Sequence, residues 1–214
     1  MRFPLALAAL AALFALSPLA PLLAQRDNVQ LHVEVVAASA RDDGPLITTA
    51  NLLADPKTRE LLRSGFPTRI HFELELWRKR GLFDDPSGRV DWYVVVRWDP
   101  TSQLYNVVRR QDPDLLENFG GFQTATSADA QFGRPFRASL HPNRSGRFYY
   151  NLIVEVQTLS ESDLDALQQF FRGPSAPGKS NPLTAIRSGV GTLVSRVLGD
   201  KRTYKEKSGT FEVP

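Results

Sequence analysis

The side chains best suited to chemistry stand on two short alternating runs. In Val29 to Val35, His32 and Glu34 share one face, and in Arg69 to Trp77, His71, Glu73 and Glu75 share one face. Imidazole nitrogens and carboxylate oxygens are ligands that zinc or manganese accepts. If the two runs pair in register, His32, Glu34, His71 and Glu73 converge on one ion, and a metal-dependent enzyme follows. The plainer reading is a solvated sheet face, because alternation places polar residues there without further assumption. Glu75 and Arg97 then pair across strands. His141 lies in a Pro/Asn/Gly turn, and no nucleophile motif such as Gly-x-Ser-x-Gly stands ready for it to serve as a general base. Asn143-Arg144-Ser145 matches a glycosylation acceptor, a short motif that often recurs by chance. Gly120-Gly121 lacks the lysine and helix start of a phosphate loop, so a strand kink is expected. The chain has no cysteine, which excludes disulfides, thiolate metal sites and a cysteine nucleophile. No cofactor motif is present, and no cofactor is expected.

Aromatic residues offer a second kind of site. Trp92 and Trp98 fall on the face that alternation assigns to the core, and Trp77 and Tyr93 fall on the other. With Tyr105 they are the candidate binding residues for an apolar ligand or a protein partner, weighed against ordinary packing under a loop.

These groups need elements to position them. Ile70, Phe72, Leu74 and Leu76 alternate with His71, Glu73 and Glu75, which predicts a strand over Ile70 to Trp77. Val90 to Asp99 and Leu104 to Arg109 predict two more. Turn clusters at residues 81–88 and 99–102 join them, so the three form an antiparallel meander. A strand is predicted across Val29 to Val35, and Leu46 to Leu53 is ambiguous. Asp55 can cap a short helix with Pro56 in its first turn, and Gly65 and Pro67 end it. Beyond the meander, residues 119–122 predict a bulged strand, 126–132 a short helix and 135–139 a weak strand. Phe148 to Leu159 predicts a long strand with apolar groups on both faces. A helix follows Ser160, with Leu164, Leu167 and Phe171 on its inner face.

The chain divides into four parts. Residues 1–24 read as a secretory signal, with Arg2, an apolar stretch and a Ser17-Pro18 break. Residues 25–172 form an antiparallel β domain, 173–181 a Pro/Gly linker, and 182–214 an amphipathic helix with a tail strand. The fold expected is mainly β, an antiparallel β-sandwich-like domain of about seven strands with two or three peripheral helices. Export places it in the periplasm or cell envelope. At 214 residues and 42% hydrophobic the chain can bury a core. Its net charge of +3, with both signs interspersed, argues against a nucleic-acid binder. The helix over Pro182 to Leu198 could instead touch a membrane surface through Arg187, Arg196 and Lys201.

The order of Leu61-Leu62, Gly65-Phe66-Pro67, the strand from Ile70 to Arg80, the strand from Val90 to Trp98, and Leu104-Tyr105 resembles an uncharacterised bacterial secreted family, domain of unknown function 4390. The similarity covers roughly residues 28 to 172. That family has no assigned activity, so the resemblance carries over no functional residues. The function expected is an exported, non-catalytic binding or accessory module. A membrane-peripheral protein and a metal-dependent enzyme are the alternatives.

Overall fold

The computed structural model describes residues 28–111, 115–159 and 201–214. The expected signal segment, the helix after Ser160, the 173–181 linker and the 182–198 helix lie outside the described residues. The chain runs β1 (Gln30–Glu34), β2 (Leu46–Ala50), α1 (Pro56–Arg63), β3 (Thr68–Arg78), β4 (Asp85–Asp99), β5 (Leu104–Gln111) and β6 (Leu115–Phe122). It continues through α2 (Ala125–Phe132), β7 (Phe136–Arg137), β8 (Gly146–Thr158), β9 (Arg202–Lys207) and β10 (Phe211–Val213).

The strands form two antiparallel sheets. A small one has the order β1-β2-β7, and a large one the order β10-β8-β3-β4-β5-β6. Strand β9 also pairs with β8, alongside residues 151–156, while β10 covers residues 146–148 of the same edge. The expected β-sandwich-like class is therefore what the chain adopts, with ten strands among the described residues. β8 lies between β3 and the β9/β10 edge and is a central strand of the large sheet.

Alternation explains the large sheet. Ile70, Phe72, Leu74 and Leu76 are all buried, and so are Trp92, Val94 and Val96 opposite them on β4. Tyr150, Leu152 and Val154 extend this inner face across β8. Val33 and Ile47 of the small sheet, Leu62 of α1, and Ala128 and Phe132 of α2 join the same core. Phe136 brings its ring to 5.2 Å from Trp92, joining β7 to β4. Gly44 is required where the β1–β2 connection crosses the β7–β8 connection. A Cβ there would stand 1.7 Å from the carbonyl oxygen of Ala138.

Local signals behave as their chemistry dictates. Asp55 accepts from the Thr58 amide at 2.6 Å and caps α1, with Pro56 in the first turn. Gly65 then turns the chain out at φ +92°. At the β4–β5 turn, Asp99 accepts from the Thr101 amide at 2.9 Å and from the Ser102 hydroxyl at 2.8 Å. The Gly120-Gly121 kink is a bulge: Val107 faces Gly120 and Val108 faces Asn118, leaving Phe119 as the extra residue. No helix among the described residues is long and apolar enough to cross a membrane.

Candidate functional site

The outer face of the large sheet carries a ladder of charge. Register sets His71 on β3 between Tyr93 on β4 and Glu155 on β8. Its Nε2 lies 3.3 Å from Asp91 Oδ1, and its Nδ1 3.6 Å from Glu155 Oε2. Lys201 Nζ approaches the other oxygen of Glu155 at 2.7 Å. Arg89 reaches Glu73 at 3.3 Å and Asp91 at 3.6 Å. The row Lys201, Glu155, His71, Asp91, Arg89, Glu73 alternates basic and acidic side chains. Partial burial pushes the Glu155 carboxyl up, but Lys201 and His71 outweigh it and hold the group below the usual carboxylate range. The His71 ring stacks on Tyr93 at 4.6 Å, nearly parallel.

The metal set expected from the sequence does not assemble. β1 pairs with β2, putting His32 opposite Thr48 in the small sheet. Both edges of β3 are taken by β4 and β8, so β1 has no place beside it. His32 and Glu34 are exposed. His71 and Glu73 do come together, but their third companion is Asp91: ligand atoms of the three lie within 4.8 Å of one another. Asp91 was visible as an outward residue of β4; only the hairpin register sets it beside Glu73.

The three aromatic candidates do not form one strip. Tyr93 is half-buried against His71. Trp77 lies six residues further along β3, roughly 20 Å away at the usual rise per residue. Its Nε1 donates to Glu75 at 2.9 Å. Tyr105 is on the opposite, inner face, 3% exposed, with its ring 4.7 Å from Trp98. The expected Glu75–Arg97 pair is also replaced. Register puts Glu75 opposite Arg89 and Arg97 opposite Asn106, and Glu75 accepts from Asn151 Nδ2 at 2.9 Å. His141 is exposed, as its turn implies.

Two further features escaped the sequence reading. A cleft of about 120 Å³ opens between α1 and the start of α2, lined by Arg59, Arg63, Tyr105 and Thr126. Arg59 is committed to structure there, since its Nε donates to the Leu53 carbonyl at 2.7 Å. The other feature is the edge of the large sheet. β6 ends the strand order, with no strand beyond it among the described residues. It exposes Leu115 and Leu116, each more than half accessible. Arg109 anchors it from β5 through Glu117 at 2.5 Å, and stacks its guanidinium 4.1 Å from the Phe136 ring. The signal was an apolar pair directly after the Asp112-Pro113 break, which a search for glycine-marked bulges passes over.

No family model, curated protein or solved structure matches this chain.

Proposed function

We propose that the chain is an exported, non-catalytic binding module of the bacterial envelope that takes an extended segment of a protein partner onto the outer edge of β6, which has no strand beside it among the described residues. One observation carries this reading. β6 is a terminal strand that exposes two consecutive leucines instead of the lysines or prolines that blunt natural sheet edges. Strand addition draws its affinity from main-chain hydrogen bonds and its selectivity from alternate side chains. The bulge at Phe119 limits the pairing surface to the Leu115 to Asn118 half of the strand. In the other half Gly120 and Gly121 carry no side chain, and Phe119 and Phe122 pack against the core.

The test is a photoreactive residue at Asn118 of the full chain, irradiated in growing cells. A discrete adduct that maps to one segment of one protein, and that disappears with Leu115→Lys plus Leu116→Lys, supports strand addition. An adduct that survives both substitutions rejects it.

A second reading, divalent-metal binding, is favoured by the approach of His71, Glu73 and Asp91. One imidazole and two carboxylates suit zinc or manganese. Its obstacle is Arg89, which already neutralises both carboxylates and must be displaced. Zinc titration by calorimetry decides it: stoichiometric binding lost in His71→Ala supports the site, and equal heats for both proteins remove it.

A further inference from the structure

The tip of the β3–β4 hairpin is built unlike any other turn described. Leu82 is 94% exposed and Phe83 82% exposed, adjacent and at the extremity of two long strands. The acids beside them are both engaged. Asp85 pairs with Arg80 at 2.9 Å, and Asp84 accepts from the Tyr149 hydroxyl at 3.0 Å. The turn is closed by the Phe83 amide donating to the Arg80 carbonyl at 3.0 Å. Two large apolar side chains are thus held outward by a defined turn.

The surroundings of the tip are basic. The Lys79 amide donates to the Arg147 carbonyl at 2.8 Å, which brings the β8 start alongside the tip. Arg78, Lys79, Arg80, Arg144 and Arg147 stand at this end, against Asp84, Asp85 and Glu212. Lys79, Arg144 and Arg147 are exposed.

We propose that this end of the molecule is a membrane wedge: Leu82 and Phe83 enter the acyl boundary of an anionic bilayer while the surrounding Lys and Arg side chains lie among its headgroups. Shape and charge both select lipid over protein. A convex tip of two side chains cannot supply the roughly 800 Å² per partner of a stable protein interface. A fluid bilayer closes around such a tip without a matching pocket. Apolar side chains ringed by cations are the pattern that binds anionic lipid surfaces. The wedge is separate from the β6 edge, because β5 stands between β4 and β6 in the sheet order.

The absence of cysteine makes the test clean. Phe83→Cys in the full chain, labelled with an environment-sensitive nitrobenzoxadiazole, reports the tip alone. Ser102→Cys labels the β4–β5 turn at the far end of the same strands. With vesicles of phosphatidylglycerol and phosphatidylcholine, the tip label is expected to shift to the blue and brighten, and the Ser102 label to stay unchanged. Lys79→Glu plus Arg80→Glu, with the fold verified by circular dichroism, should raise the lipid needed for half-maximal response at least about tenfold. A tip label that is unmoved by vesicles overturns the proposal. So does an equal response on pure phosphatidylcholine, or a response only to added envelope protein.

Discussion

Asp129 of α2 is a buried carboxylic acid. It is 5% exposed, and burial pushes its carboxyl up to about 6, against the restraint of the Leu53, Leu52 and Asn51 amides and of Arg59. The Leu53 amide reaches only 3.5 Å, and Asp129 Oδ1 has no hydrogen-bond partner among the described residues. Because the folded value exceeds the unfolded one, its contribution to stability is fully present below about pH 4 and lost as pH rises through about 6. Asp129→Asn should therefore stabilise the protein at pH 7.5 by about 1–3 kcal/mol, the worth of a shift of that size. Denaturant titrations should show that gain shrinking to nothing by pH 4; a loss of stability at every pH would refute the assignment. Glu155 behaves oppositely. Its folded value is depressed, so the Lys201–Glu155–His71 contacts contribute above the ordinary value of 4.5 and fade as pH falls below it. Glu155→Gln should flatten the acid limb of the stability profile, and an unchanged limb would mean that the ladder contributes nothing. At this scale the sequence was half legible. His71 and Glu73 could be named because alternation puts both outward, whereas Asp91 and Glu155 become their neighbours only through the registers of β4 and β8.

Among the elements, α1 and β9 are joined by one carboxylate. Asp55 caps α1 through the Thr58 amide and also pairs with Arg202 at the start of β9. Burial pushes its carboxyl up, and Arg202 and Thr58 together bring it below the ordinary range. Asp55→Ala removes the cap and the clasp together and should cost about 1–2 kcal/mol from the cap alone. Asp55→Asn keeps the cap and should recover most of that loss in thermal melts. Equal destabilisation by both would assign the energy to the ion pair instead. β9 itself is not legible in the sequence. Arg202, Tyr204 and Glu206 are the residues that oppose the buried Val156, Val154 and Leu152 of β8, and two of the three are charged, so no apolar alternation announces the strand. β3 and β4, with every second residue apolar, announced themselves. β1 illustrates the limit: its alternation was correctly read as a strand, but alternation does not say which strand it joins, and the four-residue metal set rested on that choice.

The whole molecule is a seven-stranded sheet backed on one face by a small sheet and two helices, with chemistry left to the outer face, one hairpin tip and one edge. Gly44 sits where the connections of the two sheets cross, and Gly44→Ala has no room for its Cβ. That substitution should lower stability by about 1–3 kcal/mol, the usual cost of overpacking, as measured in urea. A neutral result would show that the two connections can separate. If β6 receives a partner's strand as proposed, amide hydrogen exchange reads it most directly. The full chain alone is compared with the same chain in its cross-linked complex. Strand addition predicts that exchange across residues 115–118 slows by about tenfold or more, since amides freed to water gain main-chain partners, while β3 is unchanged. Protection that appears on the outer face of β3 and β4, with β6 exchanging as before, would contradict it.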